Sequence, residues 1–357
     1  MTTRLEVETA EQPRVLAALL DAQLPRLDEW RAALRSDEID GVVVVARGSS
    51  DNAARYAQYL WSLRTGHPVT LATPSLHTVY GRPLDVSGRA VVAISQSGAS
   101  PDVVEVLRAA SLQGSPTVAV TNNPASPLAE VADAVLELGA GEERSVAATK
   151  TYTASLMAVA VLALALDTRE GQDRQGASAH ERDLRAVPDA MTSAVDGTTG
   201  LGEASRVLAD AYRGVVVGRG LNLCTAYETA LKITELTGSL MAPYSPADLL
   251  HGPVGAVGPE VPVVLIAPDE PASASVLEVA EQAQRRDAPV VLVGAEGTSV
   301  DGPVAATVEL PTSAAVADWL TPLIAVVPGQ LLARSVAELR GIDVDHPGGL
   351  SKVTRTT

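Results

Sequence analysis

The stretch GVVVVARG, residues 41–48, returns as RGVVVGRG at 213–220, with Gly48 matched by Gly220, 172 positions on. Each is a short valine run set off by glycine, the pattern of a strand buried on both faces. The correspondence runs on at the same spacing. VVAIS (91–95) matches VVLIA (263–267), PTVAV (116–120) matches PVVLV (289–293), and AVLEL (134–138) matches ATVEL (306–310), at offsets of 172 or 173. One valine-rich match can arise by chance, but four in order at one spacing read as two copies of a single domain. Segments of helical period separate the strands. Each copy therefore reads as βαβ units, a parallel sheet with helices on its faces. The expected organisation is a helical segment over 1–24, a first copy over 25–170, a polar helical linker over 171–204, a second copy over 205–340 and a tail over 341–357.

Composition narrows the function classes. A chain of 357 residues has room for two ordinary cores. It is 46% apolar and contains no Phe, so Val and Ala must build the interior. The formal net charge of -16 speaks against nucleic-acid or anionic-membrane partners, which require a basic face. One cysteine, Cys224, rules out a disulfide framework and a cysteine zinc cluster. The 5 histidines are scattered, so neither a metal nor another cofactor is expected. The start, MTTRLEVETAEQ, is acidic and unlike a secretion signal. The apolar run LMAVAVLALAL at 156–166 is shorter than the ~20 residues of a membrane span and reads as a buried helix. A cytoplasmic location follows as the expectation.

The two copies differ at their strand ends. In the first, strands run into RGSSDN (47–52) and SQSGASPD (95–102); in the second, the same places read RGLNLC and APDEPA, with Asp269 opposite Ser97. Ligands of open parallel sheets gather beyond the carboxyl ends of the strands. Ser100-Pro101 has the form of an N-cap followed by proline at the first helical position. A helix starting there aims free N–H groups and a positive dipole end at the loop. Gly98 lets the backbone come close, Ser97 and Ser100 can donate hydroxyl hydrogens, and Ser49 and Ser50 stand at the mouth of the other loop. Either loop alone reads as ordinary helix capping. Both on one copy, with a carboxylate replacing them in the other, read as an anion site.

In TAYETALKITELTG (225–238), Glu228, Lys232 and Glu235 recur at i, i+4 and i+7 and share one helical face, while Ala226, Ala230 and Ile233 are free to pack elsewhere. By spacing alone this is a surface Glu–Lys pair worth about 0.3–0.5 kcal/mol.

Together with EERSVAATKTYTASL (142–156), DLLHGPVGAV (248–257) and DHPGGLSKVTRTT (345–357), these segments resemble, in order, the two-domain sugar isomerase (SIS) proteins. The likeness is strongest to the isomerase half of glutamine-dependent glucosamine-6-phosphate synthase and to the stand-alone SIS-type glucosamine-6-phosphate deaminases. It implies two tandem SIS domains, each a three-layer αβα sandwich of flavodoxin-like type. It further implies that Ser50, Ser95, Gln96, Ser97 and Ser100 hold a sugar 6-phosphate, with Ser49 beside them, and that Val146 and Ser351 line the sugar. Glu235 then falls on the base, Lys232 on its neighbouring lysine, and Glu228 on an orienting partner for that lysine. His251 falls on a ring-opening histidine supplied across an interface, which implies at least a homodimer. Lys352 falls on the tail lysine that closes over the open-chain sugar and forms an imine with a ketose.

Two stretches depart from the deaminases: ALKITE stands where ALKxKE is usual, and APYSPADLLHGP replaces a stretch richer in Glu with Arg before HGP. Asp248 and Leu250 there bear on how the sugar's nitrogen is held. The chain shows no glutaminase domain and no N-terminal cysteine nucleophile. The expected direction is therefore ammonia release, glucosamine 6-phosphate to fructose 6-phosphate. Alternatives are dehydration of N-acetylglucosamine 6-phosphate by loss of the C3 hydroxyl, deglycation of a fructosamine phosphate, and a non-enzymatic sugar-phosphate sensor. The sensor reading lacks a helix-turn-helix ahead of the first strand.

Overall fold

The computed structural model of the chain describes residues 2–167, 174–348 and 350, with backbone alone over 174–178. These residues divide into two bodies, one from Arg14–Glu143 and Lys150–Arg185, the other from 2–13, Arg144–Thr149 and 186–350.

The first body is built on β1 (Gly41–Ala46), β2 (Val69–Leu71), β3 (Arg89–Ile94), β4 (Thr117–Thr121) and β5 (Ala134–Glu137). They form one parallel sheet in the order β2-β1-β3-β4-β5, with Val43 level with Val91 and Val92 level with Val118. β1 and β4 are buried along their whole length, as a sheet covered on both faces requires. On one face Val43, Val45, Val91, Ala93 and Ala119 pack against Val103, Val106, Leu107 and Leu128 of the helices Pro101–Leu112 and Pro127–Val131. The helices Ser49–Thr65 and Lys150–Leu166 also belong to this body and pack on each other, with Trp61 Nε1 donating to the Val159 carbonyl at 2.9 Å. Every residue of Lys150–Leu166 is buried, so the apolar run read from sequence is a core helix.

The second body repeats the plan with β6 (Arg213–Val217), β7 (Leu240–Tyr244), β8 (Val263–Ala267), β9 (Val290–Ala295) and β10 (Ala306–Leu310), again all parallel and ordered β7-β6-β8-β9-β10. The 2-1-3-4-5 order occurs twice, which is the flavodoxin-like arrangement. Alternate residues feed opposite layers. Val216, Val264, Ile266, Val291 and Val293 pack with Ala226, Ala230 and Ile233 and with Leu332 and Val336, while Val215, Val217, Val263, Leu265 and Leu292 face Val276, Val279 and Ala283. Two tandem three-layer α/β domains are thus the fold.

A second apolar helix, which run length alone does not bring out, also bears on the membrane reading. The stretch Asp318–Leu339 is long and apolar enough to cross a bilayer, with a mean hydropathy of 1.4, although the longest unbroken apolar run lies elsewhere. Its most apolar window is 89% buried inside the protein, where Leu332 and Val336 line the second core. It serves as a core helix. Cys224 is buried, its thiol donating to the Leu221 carbonyl at 3.1 Å.

Candidate active site

In the first body, β3 ends at Ile94 and Ser95 follows, its N–H still held by the Val120 carbonyl at 3.0 Å. The chain then folds back. The Gly98 N–H donates to the Ser95 carbonyl at 3.1 Å and to Ser95 Oγ at 3.2 Å. Gly98 adopts φ +61°, and a Cβ there would lie 2.0 Å from Ser126 Oγ, so glycine is required for conformation and for space. The Gln96 carbonyl accepts from the Asn122 N–H at 3.1 Å and the Thr121 hydroxyl at 3.3 Å, pinning the loop to the end of β4. Ser100 is the N-cap of Pro101–Leu112 with Pro101 in the first turn, but its hydroxyl makes no capping hydrogen bond. Ser97 Oγ accepts from the Ala99 N–H at 3.3 Å and keeps its own proton to give. These hydroxyls are therefore available to an anion at a helix N-terminus.

Ser49 and Ser50 sit half-buried in the first turn of Ser49–Thr65, whose N-cap is Gly48 at φ +55°. The two loops are tied together by Arg47, whose Nε lies 2.7 Å from Oδ2 of Asp102. Asp102 is buried while Arg47 is 49% exposed. Sequence reasoning passed over this pair, which brings a cation to an edge expected to manage with hydroxyls alone. Its signal, an Arg at one strand end and an Asp one residue into a helix, is too common to stand out.

In the second body, the helix Leu223–Thr237 is closed by Gly238 in the left-handed conformation. Glu228 and Lys232 are buried, with side chains 0% and 2% exposed, and Glu235 is 26% exposed. Lys232 Nζ makes a short hydrogen bond to Glu235 Oε2 and lies 3.5 Å from Glu228 Oε1. The surface ion pair that spacing alone suggests is overturned by this burial. One ammonium stands between two carboxylates in a medium where charges interact strongly. Glu235 is the member of the three that solvent reaches.

The other expected residues are less gathered. Val146 is half-buried in the segment Arg144–Thr149, which is held by Glu8: Glu8 Oε1 accepts from the Arg144 N–H at 2.5 Å, and Oε2 from the Ser145 N–H at 3.1 Å. Glu8 is a second residue the sequence did not single out. His251 caps the short helix Pro246–Leu250 and is exposed. Among the described residues no hydrogen bond joins its ring to Glu235 or Lys232. Asp248 is occupied in the same helix cap, its carboxylate accepting from Ser245 Oγ at 2.7 Å, while Leu250 is exposed. Ser351 and Lys352 lie outside the described residues.

The corresponding strand ends of the second body enclose a cavity of about 220 Å³. Its lining includes Asp269, Glu296 and Asp318. Burial pushes the nearby Glu270 carboxyl above its usual range, helped by the charge of Asp318 and opposed by a hydrogen bond from Asn222. This edge disfavours an anion, whereas the carboxylates at the hydroxyl-rich edge of the first body, Asp102 and Asp51, are paired with Arg47 and Arg55.

The comparisons with known proteins follow this duplication. The SIS domain model matches residues 38–165 and again 207–338. The chain is 34% identical to the glutamine–fructose-6-phosphate aminotransferase (isomerizing) of Mycobacterium tuberculosis over 97% of its own length and 56% of that protein's. It thus spans about half the length of the curated relatives it matches. Among solved structures, the C-terminal domain of glucosamine-fructose-6-phosphate aminotransferase from Francisella tularensis superposes with a TM-score of 0.82 at 25% identity, covering 97% of this chain and 98% of that one. A candidate phosphosugar isomerase of Silicibacter pomeroyi gives a TM-score of 0.83 at 32% identity, covering 96% and 100%.

Proposed function

The chain belongs to the SIS domain family, and from that membership we propose that it is an amino-sugar-phosphate isomerase that converts glucosamine 6-phosphate and water to fructose 6-phosphate and ammonia. The observation that carries the reading is the buried Lys232 held between Glu228 and Glu235, with Glu235 the one carboxylate left within reach of solvent. A fixed base beside a fixed ammonium is what a C2-to-C1 proton transfer needs.

The steps balance. In the open-chain sugar, the Glu235 carboxylate takes the C2 proton, and the electron pair moves into a C1–C2 double bond as the C1 oxygen gains a proton, giving an enolamine. Return of the proton to C1 leaves an imine at C2. Water adds there and ammonia departs, giving the ketose. Lys232 keeps the Glu235 carboxylate in register, and Glu228 keeps Lys232 charged and oriented. The phosphate is taken by Ser95, Ser97 and Ser100 and the N–H groups of their loop, with Gln96, Ser49 and Ser50 alongside. His251 opens the ring in a neighbouring copy's site, Val146 and Ser351 line the sugar, and Lys352 closes over it. The enzyme works as a homodimer at least, in the cytoplasm, and without a metal.

Purified protein incubated with glucosamine 6-phosphate should release ammonia and ketose phosphate in equal amounts. An ultraviolet-absorbing unsaturated product from N-acetylglucosamine 6-phosphate, with no ammonia from the free amine, would replace this reading with dehydration.

A further inference from the structure

We propose that Glu8 is a positioning residue, whose buried carboxylate fixes the segment Arg144–Thr149 and so sets Val146 against the helix that carries Glu235. The proposal rests on the reading of Val146 as a sugar-lining residue. It starts from where Glu8 lies. It is on the short helix Arg4–Ala10 and is 5% exposed. A carboxylate is costly to bury unless hydrogen bonds receive it. Here the receivers are two successive backbone N–H groups, of Arg144 at 2.5 Å and Ser145 at 3.1 Å, 136 and 137 residues away in sequence. Bonds of this charge-assisted kind are the stronger class. The Ser145 hydroxyl adds no anchor, since it is buried with no hydrogen-bond partner among the described residues.

The helix bearing Glu8 is itself fixed to the body that holds Glu235. Thr3 and Glu6 form a capping box at its start, and the Arg4 N–H donates to Asp345 Oδ1 at 3.0 Å. Glu6 pairs with Arg334 at 3.0 Å, and Gln12 Nε2 donates to Gln330 Oε1 at 3.0 Å. Arg334 and Gln330 lie on the helix Thr321–Leu339, which packs on Leu223–Thr237 so closely that a Cβ on Gly329 would stand 2.2 Å from Thr229 Oγ1. Thr229 is the residue after Glu228. On the other side, Ala147 packs in the same core cluster as Ala226, Ala230 and Ile233. The segment around Val146 is thus held to the Glu235 helix twice, by apolar contact through Ala147 and by hydrogen bonds through Glu8. The second hold sets its height and rotation.

The test compares the full-length wild type with Glu8→Ala and Glu8→Gln. Amide hydrogen exchange is followed in peptides covering 144–149 and 223–237, alongside the melting temperature and the KM and kcat for glucosamine 6-phosphate. In Glu8→Ala, exchange over 144–149 should rise by about tenfold with protection of 223–237 retained, the local opening that loss of an anchor produces. KM should rise by about tenfold with a smaller fall in kcat, as for lost ground-state contact with the sugar. Glu8→Gln keeps one carbonyl oxygen for the Arg144 N–H and should recover much of both changes. Unchanged exchange over 144–149 in Glu8→Ala overturns the proposal, as do wild-type kinetics in a variant whose segment has loosened. Equal losses in Glu8→Ala and Glu8→Gln, with both peptides exposed alike, would make Glu8 merely structural and also overturn it. If the wild type turns over no glucosamine 6-phosphate, the reaction proposed above fails on that measurement, and the anchoring role is then decided by exchange alone.

Discussion

Replacing Lys232 by Met tests whether the three charged residues on the Leu223–Thr237 helix form one electrostatic unit. Methionine has similar length and fills the space, so the perturbation is the loss of one positive charge. Glu228, with a side chain that is 0% exposed, then loses an ammonium 3.5 Å from its Oε1. At an effective dielectric of about 20, that separation corresponds to about 5 kcal/mol of attraction. Breaking one partner out of a buried pair costs about 3–5 kcal/mol in practice. A body of this size loses roughly 2–4 °C of melting temperature per kcal/mol, so Lys232→Met should melt about 6–20 °C below wild type at pH 7. The sign with pH follows from linkage. The penalty comes from burying the ionised Glu228 carboxylate beside one positive charge fewer, so it diminishes where acid removes the carboxylate's charge. The deficit should therefore narrow from pH 7 towards pH 4. The double variant Glu228→Gln/Lys232→Met, with neither charge, should regain most of the loss. Calorimetry across pH 4–8 reads all three quantities. A deficit below about 1 kcal/mol at pH 7, or a double variant no more stable than the single one, would refute the coupled-charge reasoning.

Further outcomes are open to measurement. Ser97→Asp should abolish binding of glucosamine 6-phosphate by calorimetric titration through like-charge repulsion while the melting temperature holds; retained affinity would move the phosphate elsewhere. Glu235→Gln should lower turnover by about 10²–10⁴-fold and stop incorporation of deuterium from heavy water at C2, with binding preserved. Exchange at the wild-type rate in that variant would pass the role of base to another group. Glu270→Gln should raise stability at neutral pH. The Glu270 carboxyl lies above its ordinary value, so its contribution is fully present below the unfolded pKa and is lost as pH rises through the folded one. The gain should vanish in mild acid, and a constant gain across pH 4–8 would contradict the burial argument.

Much of the fold was legible because the valine runs are strands buried on both faces and recur at one offset. GVVVVA and RGVVV fall on β1 and β6, and the other three matched pairs fall on β3 and β8, β4 and β9, β5 and β10. The two strands that escaped notice, β2 and β7, each lie at one edge of their sheet. β2 has three residues, and β7 contains Pro243, which an edge strand tolerates because one side of its ladder is unpaired. Within the site, the i, i+4, i+7 spacing of Glu228, Lys232 and Glu235 could be read directly. Their burial could not, since the same spacing serves a solvated face. Arg47 with Asp102, and Glu8 with Arg144 and Ser145, join residues far apart in the chain through groups that leave no periodic trace. The Glu8 contact is to backbone N–H groups, which every residue but proline possesses, so no residue pattern marks it.

The assignment of residues 2–13 to the second body bears on how the chain matures as it leaves the ribosome. Arg14–Glu143 and Lys150–Arg185 supply the described part of the first body, so that sheet can close early in synthesis. The second body cannot close until the helix Thr321–Leu339 is made, because Gln12 and Glu6 wait for Gln330 and Arg334. Glu8 can meet Arg144 and Ser145 once that segment is made, but Glu6 and Gln12 must wait through the synthesis of some three hundred residues, a long-range closure of the kind that slows folding. A chain with residues 2–13 transplanted past residue 350 would bring Glu6 and Gln12 to Arg334 and Gln330 without that delay.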